Sequence, residues 1–285
     1  MNEENNYKNK DIHFYIDNAP PDEVSNVLRV LSAEEGLTSS EIAESMTNQY
    51  GFDMQQDHSY SPRRLYDLGV ALQERQGTKV TYRLADQGVK LQKIQAMNPS
   101  LAKDLFHYLH FAAFPKNPQA RKYLWSYRKC CEIIWSTRRL IPNDDLASHV
   151  LNKMDEEFPS LDRIGRVGAR FDSTAAGRVY TWLRSLEPSP FIKTDSNLHP
   201  RFIQRYELVV LALDDVYRSR QYRYGDSVLI DESLVNQISG VFLLDPRCCT
   251  DLLRLSANIV PYVRVTDTLG GASINLLHAF SLNDL

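Results

Sequence analysis

The chain has 285 residues, 43% hydrophobic and 10% aromatic, with a formal net charge of −3, which places it among folded globular proteins of two or three modules and excludes the disordered and fibrous classes. Its longest apolar runs, such as 208–213, fall far short of the ~20 residues that cross a bilayer, and the polar opening MNEENNYKNK lacks the apolar stretch of a secretory signal, so a cytoplasmic protein with no membrane partner is expected. The near-neutral total hides an asymmetry: residues 1–59 carry 3 basic and 12 acidic side chains, 60–140 carry 15 and 5, and 141–285 carry 15 and 19, so a basic block able to attract phosphate sits in the middle.

A polar arm, 1–19, leads into a winged helix-turn-helix domain expected at 20–96. Pro20-Pro21 ahead of Asp22 and Glu23 marks a helix start, with prolines at the entry and acids opposing the helix dipole. Val24, Val27, Leu28 and Leu31 give that helix its apolar stripe. Thr38 or Ser39 caps a second helix carrying Ile42, Ala43 and Met46, as short hydroxyl side chains do at helix starts. After a turn near Gly51, Ser61 and Pro62 open a third helix whose inward face is Leu65, Leu68 and Leu72. Ser59, Tyr60, Arg63, Arg64 and Asp67 then fall at its start or on its outer side, where a recognition helix meets a major groove. Gln76-Gly77 turns into a strand from Lys79 to Leu84, with Val80, Tyr82 and Leu84 on one face, and Ala85 or Asp86 opens a further helix. Strand, turn and helix in this order make a wing.

The segments LTSSEIAESM and TYRLADQGVKLQKI resemble the DNA-binding domains of bacterial winged-helix regulators of the MarR and PadR type, over the N-terminal quarter of the chain. The resemblance implies that the third helix approaches bases or phosphates through Arg63 and Arg64, and that Lys79 and Arg83 at the wing touch the backbone. A departure is the long connection between second and third helices, 47–60, whose Asp53 and Asp57 oppose phosphate.

A helical domain is expected at 97–192. Helices at 99–114 and 117–140 are separated by Pro115-Lys116-Asn117-Pro118, a strong breaker. Tyr123, Leu124, Tyr127, Ile133, Ile134 and Trp135 fit a packed core or a dimer interface, while Arg121, Lys122, Arg128, Lys129, Arg138 and Arg139 extend the basic block. His107 and His110 stand one helical turn apart, within reach of a shared metal, but no nearby residue completes a ligand set, so they read as core or surface histidines. Helices at 144–158, 160–167 and 173–186 follow, the last capped by Asp172 or Ser173. Arg163, Arg166, Arg170, Arg178 and Arg184 against the single acid Asp172 make this either a second helix-turn-helix, winged by 191–193, or an ordinary helical linker.

The C-terminal α+β domain, 193–285, reads as helices at 201–220, 232–239 and 245–258, a short strand at 227–230, and strands at 259–265 and 272–280 around the turn Thr268-Leu269-Gly270-Gly271. No phosphate loop, dinucleotide glycine pattern, nucleophile elbow or zinc helix is present. Cys130-Cys131 and Cys248-Cys249 suit neither disulfide nor zinc-knuckle spacing and read as buried small residues. Asp214, Asp215, Asp226 and Asp231 read as solvated acids rather than a magnesium site.

The expected fold is thus mainly α (α+β): a winged helix-turn-helix, a central helical domain and a C-terminal α+β region ending in a hairpin. The expected function is non-enzymatic binding of double-stranded DNA as a bacterial-type transcription regulator, in a homo-oligomer such as a dimer, with no cofactor, metal or catalytic residue. The alternative is an accessory subunit of a DNA-modifying or phage-defence complex, with the winged helix touching protein or DNA. The expected DNA contacts are Ser59, Tyr60, Arg63, Arg64, Lys79, Arg83, Arg121, Lys122, Arg170 and Arg178.

Overall fold

A computed structural model describes residues 14–52, 59–116, 122–158, 171–192 and 194–285. The fold is mainly α, with eleven helices and two small sheets among these residues. The winged helix-turn-helix comes first. α1 (Pro21–Ala33) starts behind Pro20 and buries Val24, Val27, Leu28 and Leu31. α2 (Ser39–Tyr50) is fixed by a capping box in which the Thr38 hydroxyl accepts from the Glu41 amide and the Glu41 carboxylate accepts from the Thr38 amide. It ends at Gly51, whose φ of 60° closes the helix in the left-handed conformation.

α3 (Tyr60–Asp67) is shorter than the leucine spacing predicts. Gly69, at φ 70°, breaks it, and the chain enters β1 (Ala71–Gln76), antiparallel to β2 (Lys79–Leu84). Leu72 therefore stands on an exposed strand rather than on the inward face of α3. Leu37 adds a third edge to the hairpin through an antiparallel bridge to Tyr82. α4 (Asp86–Met97) closes the domain, and its early Gly88 has a packing reason: a Cβ there would lie 2.0 Å from the Val70 carbonyl oxygen.

α5 (Pro99–Lys116) runs on through Pro115, and α6 (Lys122–Thr137), α7 (Asn143–Glu157) and α8 (Ser173–Arg184) complete the helical body. Tyr123, Leu124, Tyr127 and Ile134 are core side chains. The short helix expected at 160–167 lies outside the described residues. The described residues of the segment after α8 form no strand: Phe191 packs edge-on against Tyr180, and Asn197 pairs with Arg139 just beyond α6.

The C-terminal region consists of α9 (Tyr206–Ser219), β3 (Ser227–Leu229), α10 (Glu232–Phe242), α11 (Pro246–Ile259), β4 (Val263–Thr268) and β5 (Gly271–Leu276), then a short 3-10 turn at Leu282–Asp284. Its sheet has the order β3-β5-β4, all antiparallel. One continuous hydrophobic core joins all regions. Residues 14–19, the end of the stretch read as a polar arm, are a buried strap: Phe14 packs edge-on against Trp125 and Phe158, and Ile16 is fully buried. The acids Asp214 and Asp215, read as solvated, are buried on α9 instead. Asp214 pairs with Arg218 and accepts from Tyr224, and Asp215 pairs with Arg128, which follows from the high cost of burying an unpaired carboxylate.

Candidate nucleic-acid interface

α3 is turned inward more than its charged sequence suggests. Ser61, Pro62, Arg64 and Leu65 are buried. The Ser61 hydroxyl donates to the Glu23 carboxylate of α1. Arg64, expected to face DNA, is 2% exposed: its guanidinium lies 4.2 Å from the ring centroid of Tyr123 on α6, and its Nη2 donates to the Asp17 carbonyl of the strap at 3.3 Å. Tyr123 also donates its hydroxyl to Asp67 Oδ2 at 3.1 Å. Burial lifts the Asp67 carboxyl from an ordinary 3.8 to about 6, against the opposing pull of Arg64, the Tyr123 hydrogen bond and Arg63. A helix pinned on both flanks offers only its remaining edge, where Ser59, Tyr60 and Arg63 are half-buried and Tyr66 is exposed.

The wing is more open. Leu72 to Lys79 is exposed throughout, and Gly77, at φ 61°, makes the two-residue turn with Thr78. Three cations stand on this hairpin: Arg75, whose Nε donates to the Gly77 carbonyl at 3.2 Å, shares a face with its cross-strand partner Val80, while Lys79 and Arg83 lie on the opposite face. Two of them have acidic neighbours, with Arg83 Nε 2.8 Å from Glu74 Oε1 across the hairpin and Lys79 Nζ 3.9 Å from Glu41. All four of these side chains are solvent-exposed, and such pairs bind weakly enough to exchange for phosphate. Arg75 was not among the residues expected from sequence. The run ALQERQ has no alternating apolar face and reads as a continuation of α3; only the Gly69 break and the turn at Gly77 betray a strand.

Among the described side chains of α6, the basic block does not continue as an open track. Arg128 donates to Glu132 and Asp215 and lies over the Phe111 ring, and Lys129 pairs with Glu132 and Glu157. Arg138 stacks over Trp135 and donates to Asn236. Arg178, also expected at DNA, donates to the Ile16 carbonyl and lies over Tyr15, so it holds the strap. Arg121, Arg170 and the Lys122 side chain lie outside the described residues. The structure thus gathers Ser59, Tyr60, Arg63, Lys79 and Arg83 within the winged helix, and turns Arg64 and Arg178 inward.

His107 and His110 are buried in the core, where His110 Nδ1 lies 2.8 Å from the Phe106 carbonyl. Both ring nitrogens of His107 are engaged, by the Tyr127 hydroxyl at 2.8 Å and the Val241 carbonyl at 2.6 Å, and burial lowers its pKa to about 4. Among the described residues no group of three or more His, Cys, Asp or Glu is placed to hold a metal, and no helix is long and apolar enough to cross a membrane. The four cysteines are buried and unpaired with one another, and burial raises the thiol of Cys249 to about 12.

No protein-family model and no curated protein matches the chain. Two solved structures do match in fold: a magnesium ion-bound SspB, with a TM-score of 0.58 and 11% identity over 90% of this chain and 80% of that one, and a second SspB structure with a TM-score of 0.58 and 10% identity over 90% and 81%. The likeness to these two structures is one of fold and spans 90% of this chain.

Proposed function

We propose that this protein is a non-enzymatic accessory subunit of a DNA-acting assembly, in which the wing rests on the backbone of duplex DNA. The observation that carries this reading is the contrast within the winged helix: α3 is bolted to α6 and the strap through Arg64 and Asp67, whereas Arg75, Lys79 and Arg83 stand on an exposed hairpin. A free-standing regulator reads bases with an open third helix; here that helix keeps one edge. The resemblance of the wing-to-α4 segment to MarR- and PadR-type domains supports a nucleic-acid role, and the burial of most of α3 against α6 and the strap supports a chain that is not a free-standing reader of bases.

Backbone contact is electrostatic and independent of sequence, so affinity for a short random duplex, followed by fluorescence anisotropy, falls steeply as salt rises. Replacing Arg75, Lys79 and Arg83 together by glutamine weakens binding and flattens the salt slope while leaving thermal stability near that of the parent, because all three are solvent-exposed. Absence of binding at low salt, or an unchanged slope in the triple variant, refutes the reading.

A further inference from the structure

Outside the winged-helix surface, a groove of about 310 Å³ lies where the end of α4 meets the starts of α5 and α9 and the end of α11. Its rim carries Met97, 79% exposed, and Ile259, 47% exposed. These are large apolar side chains held in water at the lip of an apolar trough that contains Leu101 and Phe280. The charged side chains of its lining are acidic, Glu207 and Asp284, the latter also accepting from Ser281, and the described lining residues include no Lys, Arg or His. Arg205, next in sequence to Tyr206, is committed to Asp104 and Asn98. Two phenols of the lining, Tyr206 and Tyr262, are held above their ordinary pKa by burial first and by Glu207 and Asp284 second.

We infer that this groove is a docking site for a partner-protein segment in which large apolar side chains are flanked by lysine or arginine. Charge complementarity selects that occupant: the trough accepts apolar side chains, Glu207 and Asp284 attract flanking cations, and an acidic or neutral segment gains nothing from them. Position fits the role. The groove lies at the Met97 end of α4, and none of its lining residues belongs to α3 or to the β1–β2 hairpin.

The test uses the full chain without DNA, so its outcome is separate from that of the wing. The probe is an acetylated Lys-Lys-Leu-Phe-Lys-Lys peptide, with a counterpart carrying Glu at every Lys position. Binding is followed by anisotropy and by the methyl resonances of ¹³C-labelled methionine, with the buried Met46 and Met154 as internal references. The expected result is a shift of the Met97 methyl on adding the basic peptide, an affinity lower by about tenfold or more in Met97→Lys and in Ile259→Lys, and no shift with the acidic peptide. Both substitutions are at exposed positions, so a folding defect does not mimic the loss. An unmoved Met97 methyl, equal binding of the two peptides, or self-association that Met97→Lys abolishes overturns the proposal, the last by making a second copy the occupant.

Discussion

Arg63 and Arg64 are adjacent in sequence and opposite in environment. Arg64 stacks on Tyr123 and bonds the strap, so Arg64→Ala removes a buried cation–π contact and a hydrogen bond and lowers stability by on the order of 2 kcal/mol. Arg63 sits half-buried on the open edge of α3. Arg63→Ala is expected to leave the melting temperature unchanged and to reduce the salt slope of duplex binding by about one. Thermal melts and salt titrations of the two single variants separate these roles, and identical behaviour contradicts the assignment. Asp67 gives a pH signature at the same junction. Its carboxyl is raised from 3.8 to about 6 in the folded state, so the folded protein holds the proton more tightly than the unfolded chain, and stability is lost as pH rises through that window. Asp67→Asn, which cannot ionise, should therefore melt higher than the parent at pH 7, with the gain vanishing near pH 4. A gain that persists in acid would place the cause elsewhere.

At the scale of elements, what the sequence revealed depended on whether local chemistry and tertiary packing agreed. α1, α2 and the hairpin β4–β5 carry their own signals in Pro20-Pro21, the Thr38–Glu41 box and the Thr268–Gly271 turn, and the structure has them there. β1 carries no such signal, because five of its six residues face solvent and nothing in ALQERQ alternates. Inward-turned charge, buried at Arg64, Asp214 and Asp215 and half-buried at Arg178, was hidden for a related reason. Arg64, Arg178, Asp214 and Asp215 look like surface residues until their partners arrive from elements far along the chain: Tyr123, Ile16, Phe280 and Arg128. The candidate site was therefore legible at the wing, where Lys79 and Arg83 need no distant partner to be exposed, and misread on α3. Gly88 tests the element-level packing directly. With the Val70 carbonyl oxygen 2.0 Å from its would-be Cβ, Gly88→Ala forces α4 away from the α3–β1 corner. Overpacking against backbone costs about 1–3 kcal/mol, readable as a shifted denaturant midpoint with unchanged slope. A neutral result would mean that α4 slides freely.

For the whole molecule, an ion cluster ties the helical body to the C-terminal region. Asp104 of α5 is fully buried and meets Arg201 at 2.6 Å and Arg205 at 2.7 Å, while Arg201 also donates to the carbonyls of Glu187, Pro188 and Phe242. Asp104→Ala leaves the Arg201 guanidinium buried without its counter-charge, a loss of about 3–5 kcal/mol. Chemical denaturation followed by both tryptophan fluorescence and far-ultraviolet dichroism checks the amount, and a change below measurement error would show that the cluster is dispensable.

The strap at 14–19 has a mechanical meaning as well. It is gripped from one side by Arg64 of α3 and from the other by Arg178 and Trp182 of α8, which ties the winged helix to the body behind it. A duplex resting on the wing would orient the body through that tie, and the groove beside Met97 with it. The protein would then work as a set square, giving the rest of an assembly an angle rather than merely an address.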